Sequence, residues 1–418
     1  MALIVTKFGG TSVGTTERIR AVANRLIAYK ERGDQVLAVL SAMGKETDRL
    51  IELAHQITNA PSTRELDMLL TTGEQVSIAL LAMALQTKGH KAISFTGPQV
   101  GIITDSVHSK AKIVAVEADC VRTALAEGNI VIVAGFQGKT PQGQITTLGR
   151  GGSDTTAVAL AAGINADVCE IFTDVDGVYT ADPRIAPRAQ KIDQISYEEM
   201  LEMASSGAGV LSMRSVEFAR NHGVTVHCRS SFTEEQGTIV KKASSDMEHA
   251  IVSGVTHDTS EAKVTIRDCP DTPGVAASVF SALAAENVNL DMIIQNVSED
   301  GHTDISFTTP EADLTRARRA IDAVAEQIGA RTWVVDPAVA KISIVGAGMR
   351  TNPGVTAKMF TVLADAGVNI DLISTSPIRL SCIIALKDVE TAVRVLHTAF
   401  GLDKSDVSEE VASQALNA

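Results

Sequence analysis

Three observations predict an α/β chain: a mostly parallel sheet sandwiched by helices, followed by two small βα-type domains. Short β-branched runs alternate with amphipathic helix patterns through the first half, and residues 273–293 return at an offset of 80 as residues 353–373. Aromatics make up only 3% of the 418 residues, and Ala, Val, Ile and Leu fill most apolar positions. That composition suits α/β layers better than an all-β sandwich.

In chain order, residues 2–6 form a β-branched run that Gly9-Gly10-Thr11-Ser12 breaks, and residues 16–32 carry an amphipathic helix pattern. Residues 36–40 read as a second buried strand, followed by a polar turn and a helix over 47–58. Two further strands are expected at 130–134 and 167–172. Strands alternating with helices favour a parallel sheet covered on both faces, since each crossover helix packs on the sheet it leaves. The first domain is expected over 1–229, with a polar linker at 230–249.

Beyond the linker, Pro273-Gly274-Val275 returns as Pro353-Gly354-Val355. Ala277, Phe280, Leu283 and Ala284 match Ala357, Phe360, Leu363 and Ala364, and Val288, Asn289, Asp291 and Ile293 match Val368, Asn369, Asp371 and Ile373. Each copy reads strand, Pro-Gly turn, helix, Val-Asn-x-Asp turn, strand, so two small units are expected rather than a solenoid. They span 250–337 and 338–418, the second with the C-terminal tail; a strand at 250–256 leads the first and can belong to the second.

The formal charge of −13 argues against nucleic acid and anionic membranes as partners. It does not exclude small anions, which a local cluster of cations and backbone N–H groups can hold. The five cysteines are scattered without Cys-x-x-Cys or paired histidines, and read as buried thiols in a reducing compartment. The N-terminus lacks a signal-peptide layout, and the apolar stretch at 76–85 is short of a membrane span. A soluble cytoplasmic protein is expected.

Three segments carry chemistry. Lys7-Phe8-Gly9-Gly10-Thr11-Ser12 follows the first strand and is read as opening the first long helix; its glycines let N–H groups approach an anion, and Lys7 adds a mobile charge. An ordinary strand–helix turn with a surface lysine also fits, and no Gly-Lys-Ser/Thr follows to make a Walker A loop. Thr146–Thr156 is a second glycine-rich turn that sets Arg150, whose fork suits a carboxylate, among Gly149, Gly151 and Gly152, with Ser153 and Asp154 beyond. A simple helix cap accounts equally for Ser153 and Asp154. Thr173–Arg184 follows a buried strand, at the strand end where open α/β sheets bind ligands. Its Asp-x-Asp-Gly start has Gly177 one place early for a calcium loop.

Together with Thr72-Gly73-Glu74 and Tyr197–Met203, these segments resemble the amino acid kinase family, and its aspartokinase branch in particular. The repeated units resemble the tandem ACT regulatory domains of that branch. The resemblance implies ATP-dependent phosphorylation of the L-aspartate side chain to 4-phospho-L-aspartate, the first step toward lysine, threonine and methionine, with feedback by lysine and/or threonine. It places ATP at Lys7, Phe8, Gly9, Gly10, Thr173, Asp174, Tyr179, Asp182 and Arg184, with Mg²⁺ held mainly through the nucleotide phosphates. Aspartate falls to Ser41, Thr47, Glu74, Arg150, Gly151, Gly152 and Ser153, with Glu74 facing the α-ammonium, and the catalytic pair is Lys7 and Asp154. The family's Gly-Ala-Lys-Val-Leu stretch is Gly207-Ala208-Gly209-Val210-Leu211 here, so a cation at the nucleotide site is replaced by Gly209.

In the repeats, Pro-Gly turns that open helices suit an amino acid carboxylate, and Asp291 and Asp371 suit an ammonium; the asparagines and aspartates fit equally as turn formers. The resemblance implies effector contacts at Asp271, Gly274, Ala276, Asn289, Asp291 and Gln295 in the first unit. In the second it implies Val355, Thr356, Asn369 and Ile370, and it implies homo-oligomers through the ACT domains, with a short subunit starting at Met247 as an option. The Gly346-x-Gly348 pair resembles part of a dinucleotide fingerprint, but Thr351 stands where a third glycine belongs. Alternatives are another amino acid kinase, or an amino acid sensor that has lost catalysis.

Overall fold

The computed structural model describes residues 1–244, 251–296 and 301–403. Met247 and the tail from residue 404 lie outside the described residues. The chain divides into two compact units. The first comprises Met1–Val178, Lys191–Ser205 and the segment from Gly209 through the end of the last strand below; the second takes Tyr179–Gln190, Ser206–Ala208 and the described residues from 251 to 403. Two short stretches of the first half, Tyr179–Gln190 and Ser206–Ala208, thus group with the second unit.

The first unit opens with β1 (Leu3–Phe8), α1 (Thr16–Glu31), β2 (Gln35–Leu40), α2 (Glu46–Ile57), α3 (Thr63–Leu70) and α4 (Thr72–Thr87). Next come β3 (Ala92–Phe95), β4 (Ile102–Thr104), β5 (Ile113–Val116), α5 (Asp119–Ala126), β6 (Ile130–Ala134), β7 (Gln137–Lys139) and β8 (Ile145–Thr147). It closes with α6 (Gly152–Ile164), β9 (Val168–Thr173), β10 (Gln194–Ser196), α7 (Tyr197–Ser205), α8 (Met213–His222), β11 (Val226–Ser230) and β12 (Thr238–Lys241). Eight strands form one sheet in the order β10-β12-β11-β9-β1-β2-β6-β3, parallel except where β12 runs antiparallel to β11. β12 lies inside the run expected as a linker, which therefore contributes to the sheet. β4, β5, β7 and β8 make a second, small sheet.

Strand alternation divides the first unit's core in two. Phe8, Val36, Ala38, Leu40, Ile130, Ile132 and Phe172 pack against α1 and α4. Val5 and Lys7, one residue out of step, point to the other face, where α6 packs on β1. The run Thr63–Thr87 is long and apolar enough by composition to cross a membrane, but it is broken into α3 and α4 and half buried within the protein. It also buries Asp67 and Glu74, as suits a core element of a folded unit. Of the cysteines, Cys169, Cys228, Cys269 and Cys382 are buried free thiols, whereas Cys120 is half-buried.

The second unit contains β13 (Gly254–Asp258), β14 (Glu261–Pro270), α9 (Val275–Ala285), β15 (Ile293–Gln295), β16 (His302–Pro310), α10 (Leu314–Ala325) and β17 (Thr332–Asp336). Then follow β18 (Val339–Val345), α11 (Gly354–Asp365), β19 (Leu372–Ser376), β20 (Arg379–Ala385) and α12 (Val389–Ala399). The sheets run β15-β16-β14-β17 and β13-β18-β20-β19, so the strand preceding the first repeat completes the sheet of the second. Gly346 serves packing rather than a dinucleotide: a Cβ there would sit 2.3 Å from the Ile251 carbonyl oxygen. Ala181 and Ala186 join the apolar core of the second repeat.

Candidate active site

The carboxyl ends of β1, β2, β6 and β9 converge, as the parallel order requires, and the chemistry-bearing residues of the first unit gather there. The glycine turn after β1 leads into a 3-10 turn at Gly10–Val13, not into α1, whose N-terminus is capped separately by Thr15. Gly9 and Gly10 therefore do not open the long helix, and backbone N–H groups and Lys7 remain to meet an anion. Gly10 has no room for a side chain: a Cβ would lie 2.9 Å from the Gly44 carbonyl oxygen and 3.0 Å from that of Ala42. Gly44 N–H donates to the Gly10 carbonyl at 3.0 Å, and Ser41 N–H to that of Phe8 at 3.1 Å, tying the loops after β1 and β2 together. Phe8 turns its ring into the core, stacked on Phe172 with centroids 4.7 Å apart, so only its backbone is available to a ligand.

Lys7 Nζ lies 2.6 Å from Asp154 Oδ1, with both side chains only slightly exposed. The contact is a charge pair without an aligned hydrogen bond to that oxygen. Asp154 stands in the first turn of α6, immediately after the turn containing Gly149 and Gly151, whose φ values of 75° and 71° favour glycine. Gly151 is also closed in by Ser212, which a Cβ would approach to 2.3 Å. Ser153 packs under Gly135 at the end of β6, and Phe136, held at φ 70°, donates its N–H to Thr156 Oγ1 at 3.1 Å. Arg150 is exposed and makes no hydrogen bond or ion pair among the described residues.

Glu74, in the first turn of α4, is buried. One carboxylate oxygen accepts from Ala42 N–H at 3.2 Å; the other, Oε2, is buried without a partner. Burial pushes the carboxyl up to about 7, against two smaller opposing backbone hydrogen-bond contributions. A buried carboxylate with an unpartnered oxygen suits a cationic group. Ser41 and Thr47 flank this corner, half-buried at the end of β2 and the start of α2.

Sequence reasoning passed over Asp67. Fully buried on α3, it accepts from His108 Nδ1 at 2.7 Å, from Ser109 N–H at 3.1 Å and from Thr147 Oγ1 at 2.5 Å. It thereby clamps the strand end that leads into Gly149 and Arg150. An aspartate inside the apolar run Leu66–Leu70 was the available signal.

The run 173–184 does not stay together. Thr173 ends β9 in the first unit and Asp174 follows it; Thr173 Oγ1 accepts from Val175 N–H at 3.0 Å. Tyr179, Asp182 and Arg184 belong to the second unit. Arg184 forks onto Asp182, at 2.7 Å between Nη2 and Oδ2, and that bond holds the Asp182 carboxyl below its ordinary range.

In the second unit, Gly274 caps α9 at φ 106°, and Gln295 Nε2 donates to Asp271 Oδ1 at 3.4 Å. Ala276 is half-buried on α9 and Asn289 is exposed. Val355 is buried on α11, whereas Thr356 and Asn369 are exposed and Ile370 is half-buried. Asp291 and Asp371 are each ion-paired, to Lys341 and Lys263 respectively.

A model of the amino acid kinase family matches residues 2–230, and an ACT-domain model matches residues 267–324 and 342–400. An aspartokinase of Mycolicibacterium smegmatis is 54% identical over 411 residues, covering 97% of this chain and 98% of the relative. Among solved structures, E. coli aspartokinase III in complex with aspartate and ADP (R-state) superposes with a TM-score of 0.81 at 26% identity, covering 95% of this chain and 99% of that one. The same enzyme in complex with lysine and aspartate (T-state) gives 0.74 at 26% identity, covering 95% and 99%. With near full-length identity of this order over both the sheet unit and the repeats, the chain belongs to the aspartokinases, amino acid kinases with tandem C-terminal ACT domains that transfer a phosphoryl group to a carboxyl acceptor.

Proposed function

We propose that this chain phosphorylates the side-chain carboxylate of L-aspartate with ATP, giving 4-phospho-L-aspartate as the first step of lysine, threonine and methionine formation in the cytoplasm. The observation that carries the substrate reading is Glu74, a buried carboxylate whose free oxygen suits the α-ammonium. Arg150, unpaired, suits a carboxylate, with Ser41, Thr47, Gly151, Gly152 and Ser153 around it. The solved relative with aspartate and ADP supports both ligands.

The acceptor carboxylate has an ordinary pKa of about 3.9 and is ionised at neutral pH, so no general base is needed. The obstacle is bringing one anion up to another. Lys7 and the backbone N–H groups of the Gly9-Gly10 turn neutralise and position the transferred phosphoryl group. Asp154 holds Lys7 in place across 2.6 Å rather than taking a proton. Thr173 and Asp174, at the end of β9, border the nucleoside. Mg²⁺ would enter on the nucleotide phosphates, where it would supply further charge neutralisation.

Lysine and/or threonine are the proposed effectors, acting through the repeat units, which pair between chains; the lysine-bound T-state relative supports lysine. Trapping the acyl phosphate with hydroxylamine tests the whole reading. Product is expected from aspartate and MgATP, and less of it with lysine and threonine, singly or combined. No product under any effector condition would overturn the reading in favour of a sensor without turnover.

A further inference from the structure

On the sheet face opposite Lys7, a cleft of about 530 Å³ opens between α1 and the ends of β9 and β11. Its polar lining is dominated by Arg18, Arg25, Arg32 and Arg229, against one lining carboxylate, Glu234. The Arg25 and Arg229 guanidinium carbons lie 4.7 and 5.7 Å from the centroid of one ring, Phe172, so two cations share a single aromatic floor. Arg18 sits 5.0 Å over Phe232, which is itself 51% exposed. Glu170 beneath anchors Arg229 Nη1 at 3.2 Å, yet Arg229 Nε is buried without an acceptor. Besides Phe172, Arg25 meets Glu234, whose own side chain is 84% exposed and reaches in to 2.9 Å.

We propose that this cleft is a second anion site, built for a phosphorylated small molecule and distinct from the Lys7–Asp154 face. Guanidinium forks and no lysine line it, the arrangement that suits an anion with several acceptor oxygens. Such a group satisfies Arg229 Nε and replaces Glu234 on Arg25, so Glu234 acts as a tethered competitor. The site communicates with the glycine turn by a short path: Ser12 Oγ, in the 3-10 turn after Gly10, is 2.5 Å from Ser231 Oγ in the cleft wall.

The test uses the full chain carrying Phe232→Trp, titrated with inorganic pyrophosphate while the added indole is followed by fluorescence. A saturable change is expected, at least about tenfold weaker with Arg25→Ala and several-fold tighter with Glu234→Gln, following the usual strength of a charge-assisted bond. The titration is expected to survive Lys7→Ala, and citrate is expected to bind more weakly than pyrophosphate. Calorimetry on Lys7→Ala with Phe232 intact is expected to retain one pyrophosphate site, lost on adding Arg25→Ala. No saturable change, an unaltered titration in Arg25→Ala, loss of the signal in Lys7→Ala, or citrate binding as tightly would each overturn the proposal.

Discussion

Lys341 Nζ lies 2.5 Å from Asp291 Oδ2, and Lys263 Nζ lies 2.5 Å from Asp371 Oδ2, so each repeat lends a first-strand lysine to the aspartate after the other repeat's helix. The pairs are alike in chemistry and unlike in burial. Lys341 is 1% exposed, whereas Lys263 and Asp371 are 20% and 33% exposed. Asp291→Ala takes a carboxylate away from a buried ammonium that Glu261 also faces, and is expected to cost about 2–3 kcal/mol. Asp371→Ala is expected to cost about 1 kcal/mol or less, as half-solvated pairs do. Urea unfolding followed at Trp333, the only tryptophan, measures both; equal losses would refute the distinction.

Lys7→Ala is expected to lower turnover by about 10²–10³, the scale of deleting one electrostatic stabiliser. Asp154→Asn separates its two roles. A helix cap tolerates asparagine, whereas a residue that positions Lys7 by charge does not. Steady-state kinetics beside thermal melts decide: an unchanged melt with about tenfold or greater loss of kcat supports positioning.

Glu74 makes the ligand-free protein sensitive to pH. Burial raises its carboxyl from 4.5 to about 7, so the folded chain binds the extra proton between those values. Its contribution to stability is full below about pH 4.5 and declines as pH rises toward 7. Glu74→Gln is therefore expected to stabilise the empty protein at pH 8 by on the order of 1–3 kcal/mol, while weakening aspartate binding. In the native chain, aspartate affinity is expected to climb with pH up to about 7 and level off. Calorimetry at pH 6.5 in buffers of different ionisation enthalpy is expected to detect a released proton that the glutamine variant lacks.

Gly209 is exposed, and a side chain there would meet nothing within 4 Å. Gly209→Lys is thus expected to fold normally and, by adding a cation at the proposed nucleotide site, to lower the KM for ATP about three- to tenfold. An unchanged KM would show that another cation already serves.

The parallel strands at β1, β2, β6 and β9 were legible because burial on both faces demands unbroken apolar runs. The repeat was legible because its copies share a register. Glu74, and the pairing of Asp154 with Lys7, were reachable only through resemblance. Their settings depend on partners far along the chain: Ala42 lies 32 residues from Glu74, and Lys7 belongs to a different element from Asp154. The same distance hid the Asp67 clamp and the pairing of Asp291 with Lys341. The excursion 179–190 was read with the kinase half because nothing in its composition reveals that Ala181 and Ala186 fill the second repeat's core.

β13 precedes one copy of the duplicated unit yet hydrogen-bonds along β18 in the other. No single scission can therefore separate the copies as intact bodies. A peptide beginning at β18 would present a bare sheet edge along that strand, open to pairing with another molecule. A fragment meant to carry the second copy must bring Gly254–Asp258, and hence the whole of the first.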